Sequence, residues 1–272
     1  MPKTMTNFVL IVCIVLSVLF VLVRYLERNG VFFPGKDVML RPSHAGLGFE
    51  DLYLTTADGV RINAWFVPNP RARATLIFAH GNAGTMSDRI IKVKFFHDLG
   101  LNVLIFDYRG YGRSQGKPSE KGLYLDAQAA YDHLKSRGDV DKNRIIAYGA
   151  SLGGPVAADL ACHRSLAALV VDSSITSAKD MAKILYPYLP SFFMSLKFDV
   201  ISKVKHLNMP KLFMHSPDDH VVPFSMGSRL FEAAAAPKKF LRTSGGHNDV
   251  SIVSNPKAGA AFKKFLMSEG LL

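Results

Sequence analysis

Apolar and polar positions change rhythm several times along the chain. Residues Phe8 to Val23, FVLIVCIVLSVLFVLV, carry no charge. As a helix rising about 1.5 Å per residue they extend roughly 24 Å, close to the ~30 Å hydrocarbon core of a bilayer. From Thr4 to Leu26 the only charge is Arg24, whose long stem reaches the interface beside Tyr25. The pattern predicts a single uncleaved membrane anchor over residues 1–30. A cleaved signal peptide is the competing reading, but the following RYLERNGVFFPG has no small-x-small cleavage site. Basic residues flank both ends, Lys3 on one side and Arg24, Arg28 and Lys36 on the other, so the side of the membrane stays open.

From Leu52 to Phe66 the period becomes two, with Val60, Ile62, Ala64 and Phe66 on one face. Asp58-Gly59 marks the turn of a hairpin. After Pro68-Asn69-Pro70, short apolar runs without alternation recur at Thr75 to Ala79, Val103 to Asp107, Ile145 to Tyr148, Ala168 to Val171, Leu212 to His215 and Lys239 to Thr243. Strands buried on both faces have this pattern. Between them, helical spacing runs through Leu123, Ala127, Ala130 and Leu134, and again over 155–161, 226–234 and 258–266. The alternation predicts an α/β fold over residues 48–268: a mostly parallel sheet with an N-terminal antiparallel hairpin and helices on both faces. The stretch 174–207 breaks the rhythm and reads as a small cap. Its Tyr186, Tyr188, Phe192, Phe193 and Met194 are candidate walls of an acyl pocket, or simply the apolar side that glues the cap to the sheet.

Composition narrows the picture. The chain has 272 residues, 49% of them hydrophobic, which suits one large domain. Two cysteines exclude a disulfide framework. Thirty-three basic against 22 acidic residues give a net charge of +11, which suits an anionic membrane surface. The basic residues are scattered, without a stripe or interleaved aromatics, so nucleic acid is not an expected partner. No zinc-ligand spacing, G-x-G-x-x-G or P-loop occurs, and neither a metal nor a nucleotide cofactor is expected. Nothing in the sequence sets an oligomeric state.

Candidate chemistry lies at the ends of the predicted strands, where such sheets bind ligands. Gly149-Ala150-Ser151-Leu152-Gly153 fits G-x-S-x-G between the strand IIAY and the helix PVAADLA. A serine hydroxyl needs a histidine base and an orienting carboxylate. His247 lies in the loop SGGHND after the last strand, and HSPDDHVVP follows the strand KLFM. Asp219 is the favoured acid because it heads the run DHVVP, with Asp218 and Asp172 as alternatives. His220, locked beside the acid, is a neighbour rather than the base. Backbone N–H groups of Asn82, in HGNAG, and of Leu152 are placed to form an oxyanion hole. His80 is expected to shape that loop.

The ordered set HGNAG, DYRGYGRS, GASLGG, DHVVP and GGHND resembles the alpha/beta-hydrolase superfamily over roughly residues 48–266. Within it the set resembles the membrane-anchored branch that includes protein depalmitoylases and related lipid hydrolases. The resemblance implies Ser151 as nucleophile, Asp219 as acid, His247 as base, Asn82 with Leu152 as oxyanion donors, and an architectural DYRGYG segment. The expectation is a membrane-anchored serine hydrolase of carboxylic esters or thioesters, acting on acylated lipid or protein. A peptidase of the same fold, or a scaffold that has kept the fold without the chemistry, are the alternatives.

Overall fold

The computed structural model describes residues 3–188, 190–249 and 251–272; the side chains of Arg28, Asn29, Phe192 and Ser251 lie outside that description. The chain opens with helix α1 (Lys3–Gly30), long and apolar enough over Lys3–Glu27 to cross a membrane, a property shared by anchors and signal sequences. A hairpin follows, β1 (Glu50–Thr55) and β2 (Arg61–Val67), closed by the Thr56 N–H donating to the Val60 carbonyl at 2.9 Å. The doubly wound part then runs β3 (Thr75–Ala79), α2 (Ile90–Asp98), β4 (Asn102–Phe106), α3 (Glu120–Ser136), β5 (Ile145–Ala150), α4 (Gly153–His163) and β6 (Ala168–Asp172). The cap holds α5 (Ala178–Leu185), a 3-10 turn at Ser191–Phe193 and α6 (Val200–Lys203). The chain closes with β7 (Lys211–His215), α7 (Phe224–Ala233), β8 (Lys238–Arg242), α8 (Ser251–Ser254) and α9 (Pro256–Ser268).

Eight strands form one sheet in the order β1-β2-β4-β3-β5-β6-β7-β8. Only β2 runs against its neighbours; the pairs from β4 to β8 are all parallel. The predicted hairpin is found, and the expected both-face burial holds for β3 to β7; β8, the edge strand over the predicted run Lys239 to Thr243, has no buried residue because only β7 pairs with it. Alternate residues of each central strand enter different cores: Ile77, Ala147 and Val171 face α3 and α4, whereas Leu76, Tyr148 and Val170 face α2 and α9. The winding direction reverses between β3 and β5. The loops leaving those strands therefore part above the sheet and open a crevice at its carboxyl edge.

Two features went unmarked in the sequence pattern. Helix α2 buries Ile90, Val93 and Phe96 but leaves Ile91 61% exposed, so IIKVKFFHD shows no clean apolar face. Residues 31–47, ahead of the predicted domain, lie along the body: the Gly35 N–H donates to the Gly84 carbonyl at 3.0 Å and Lys36 Nζ to the Gly110 carbonyl at 2.7 Å. A strap of the cap is held from two sides. Glu27 of α1 accepts the backbone N–H groups of Ser195 and Leu196 at 2.7 and 2.9 Å. Glu120, at the start of α3, accepts those of Lys197 and Phe198 at 2.7 Å each.

Candidate active site

The turn between β5 and α4 forces Ser151 into a left-handed backbone conformation, φ +52°. For a residue with a Cβ this costs about 1–2 kcal/mol, so the surroundings must hold it. They do: the Ser151 N–H donates to the Asp172 carbonyl at 2.8 Å and the Gly154 N–H returns to the Ser151 carbonyl at 2.9 Å. A Cβ at residue 153 would run into the Ala79 carbonyl oxygen, and one at 154 into Ser174 Oγ. The two glycines after the serine are there because backbone and side chains of β3 and the cap crowd the turn.

Ser151 Oγ donates to His247 Nε2 at 2.8 Å, and His247 Nδ1 donates to Asp219 Oδ2 at 2.7 Å. The other oxygen, Asp219 Oδ1, accepts the backbone N–H groups of Val221 and Val222 at 2.9 and 2.8 Å. Burial alone would raise this carboxyl; the ring N–H groups of His215 and His247 and the Val222 N–H outweigh it and hold the group well below the usual carboxylate range. His215 Nε2 is shared, 3.4 Å from Asp219 Oδ2 and 2.9 Å from the Val222 carbonyl.

The other acids are placed elsewhere. Asp218 is exposed and accepts the Gly245 N–H at 3.3 Å. Asp172 is buried, where it accepts Lys92 Nζ at 3.0 Å, Ser173 Oγ at 3.1 Å and the Tyr148 hydroxyl. Burial pushes the Asp172 carboxyl up, but the Lys92 charge and these hydrogen bonds carry it below its ordinary value. His220 is exposed in the same turn as Asp219.

Above the serine, the loop leaving β3 lies close: a Cβ on Gly81 would be 3.7 Å from Ser151 Cβ. The Asn82 side chain fixes this loop, donating from Nδ2 to the Val31 carbonyl at 2.6 Å and accepting at Oδ1 from the Phe33 N–H at 3.2 Å and the Tyr111 hydroxyl at 2.9 Å. The side chain is therefore a brace, and its backbone N–H is left for other work. Leu152 is the N-cap residue of α4. Among the described residues, neither the Asn82 nor the Leu152 N–H is engaged by an acceptor. His80 is fully buried against the Tyr108 ring, 4.5 Å between centroids, with Nδ1 2.7 Å from the Gly81 carbonyl. Arg109 joins Asp58 and Asp126 through bonds of 2.8 to 3.0 Å.

A cavity of about 500 Å³ opens from Ser151 and His247. Of the candidate pocket residues, Tyr186 and Met194 line it. Tyr188 is 97% exposed and lies outside the lining, Phe193 stacks edge-on against Phe20 of α1 at 5.7 Å, and the Phe192 side chain lies outside the description. The sequence reading missed Val23, Leu26 and Glu27 of α1, which line the same cavity. The one signal that pointed there was an acidic residue closing an apolar span. Among the described residues no group of three or more His, Cys, Asp or Glu side chains is placed to hold a metal.

A mostly parallel sheet of this winding, with a serine on a strained turn after its fifth strand, defines a class. The chain belongs to the alpha/beta hydrolase family, whose fold model matches residues 74–212. It is 35% identical to the uncharacterized protein Rv2307c of Mycobacterium tuberculosis, over 97% of this chain and 95% of that protein. It is 38% identical to alpha/beta hydrolase domain-containing protein 17B of Xenopus tropicalis, over 72% of this chain and 68% of the other. Among solved structures, the Pyrococcus furiosus esterase Pf2001 superposes with a TM-score of 0.73 at 22% identity, covering 87% of this chain and 98% of that one.

Proposed function

We propose that the protein is a membrane-anchored serine hydrolase that cleaves carboxylic esters or thioesters of acylated substrates. The observation that carries this reading is the continuous relay from Ser151 Oγ through His247 to Asp219 at the floor of a largely apolar cavity. Ser151 Oγ attacks the acyl carbonyl carbon as its proton passes to His247 Nε2. The resulting oxyanion is met by the backbone N–H groups of Asn82 and Leu152, each worth about 2.7–4 kcal/mol in comparable sites. His247 then gives its proton to the leaving alcohol or thiol as the bond to the acyl carbon breaks. Water, deprotonated by His247, attacks the acyl-Ser151 ester and releases the carboxylic acid, and Ser151 regains its proton. Asp219 balances the imidazolium in both halves. The esterase among its structural neighbours agrees with this chemistry.

Intact folded protein is expected to take a fluorophosphonate probe on Ser151, read as a single adduct on the peptide bearing that residue. Folded protein without the adduct would favour a scaffold that retains the fold. The anchor reading has support of its own, because cleavage of α1 would remove Glu27, the acceptor of the Ser195 and Leu196 amides. Full-length protein is accordingly expected to stay in the membrane pellet during alkaline carbonate extraction; release into the supernatant would argue against a spanning helix.

A further inference from the structure

We propose that the last turns of α1 are part of the substrate site: a long acyl chain joined to Ser151 lies against Val23 and Leu26, with its far end towards the bilayer. This deepens the reading above and rests on its hydrolase and anchor roles. Val23, Leu26, Glu27 and Gly30 border the same cavity as Ser151 and His247. They cover about two helical turns, roughly 10 Å along the helix. Further towards its amino terminus α1 leaves Phe8, Ile14, Val18 and Val21 exposed, the surface a lipid-embedded helix presents. The cavity thus begins at the triad and ends beside the segment built to sit in hydrocarbon.

The opposite wall has the same chemistry. Met181, Ala182 and Leu185 of α5 line the cavity. An occupant therefore needs one carbonyl at Ser151 and an apolar tail. A volume of about 500 Å³ falls within the about 300–1,000 Å³ usual for ligand sites.

The α1 wall is fixed in place. The Glu27 carboxylate, 7% exposed, accepts the Ser195 and Leu196 N–H groups, the Ser195 hydroxyl at 3.0 Å and Arg24 Nη1 at 2.7 Å. With Phe20 stacked on Phe193, these contacts lock the anchor to the cap that faces it across the cavity. Helix and cap form one substrate-binding unit.

Full-length protein in liposomes, assayed with p-nitrophenyl palmitate and p-nitrophenyl acetate, tests this. Leu26→Trp fills the α1 wall, and its palmitate-to-acetate ratio of kcat/KM is expected to fall about tenfold or more. Ile14→Trp, on the exposed middle of the same helix, is expected to keep the wild-type ratio. A Leu26→Trp ratio within about twofold of wild type, or an equal fall in both variants, overturns the proposal. If Leu26→Trp does not fold, Leu26→Ala makes the same comparison: opening the wall is expected to shift the ratio, and an unshifted ratio overturns the proposal. Wild-type protein that takes no fluorophosphonate on Ser151 fails at the earlier step, and the hydrolase reading falls with it; normal labelling with an unshifted ratio sinks this proposal alone.

Discussion

Replacing Ser151 by alanine is expected to lower kcat for an activated ester by a factor on the order of a million. The size follows from the relay: without Oγ, neither His247 nor Asp219 has a nucleophile to serve, and what survives is the small contribution of oxyanion donors and binding. Alanine keeps the Cβ and hence the strained backbone at residue 151, so folding should change by only about 1 kcal/mol, the worth of one hydrogen bond. Thermal melting beside steady-state kinetics separates the two effects. Residual turnover above about one per cent of wild type in purified, folded Ser151→Ala would remove the serine from the mechanism.

Asp219→Asn should cost about ten-thousand-fold in kcat, for a reason visible in the hydrogen bonds. The two backbone N–H groups at Val221 and Val222 require an oxygen where Oδ1 now stands, so the amide nitrogen must face His247 Nδ1. The imidazole is then driven to accept at Nδ1 and carry its proton on Nε2, where a base cannot remove the Ser151 proton. Activity within about tenfold of wild type would transfer the acid's role to Asp172 or Asp218. The same variant has an acid-stability signature. Because the folded carboxyl is depressed, it contributes stability above the unfolded aspartate value of about 3.9 that is lost as pH falls through the lower folded value. Asp219→Asn lacks that contribution, so its melting temperature should fall less steeply than wild type below about pH 4.

Much of this arrangement was legible because the strands are buried on both faces and therefore appear as short, unbroken apolar runs. Helix α2 was not, because lysines interrupt its apolar residues and Ile91 faces outwards. Asp219 is preferred to Asp218 because it heads the run DHVVP, and the two valines of that run supply the turn N–H groups that close on Asp219 Oδ1. The pocket was harder still. Aromatic content singled out Tyr188, yet whether a ring faces a cavity or solvent depends on how the cap sits, and this ring is 97% exposed. Docking of α1 against the cap joins residues 168 positions apart, a contact that no periodicity encodes.

The doubly held strap also bears on how the protein is handled at the bench. On the proposed anchor and hydrolase roles, cutting the chain ahead of residue 31 is the obvious way to obtain a soluble enzyme, and it would keep the Glu120 side of the strap and the hydrogen bonds joining Ser151, His247 and Asp219. It would also return the Ser195 and Leu196 amides to water and remove one side of the cavity. If α1 borders the substrate site as proposed, a shortened enzyme screened against an ester library would still report its nucleophile, but its substrate preferences would belong to the truncation.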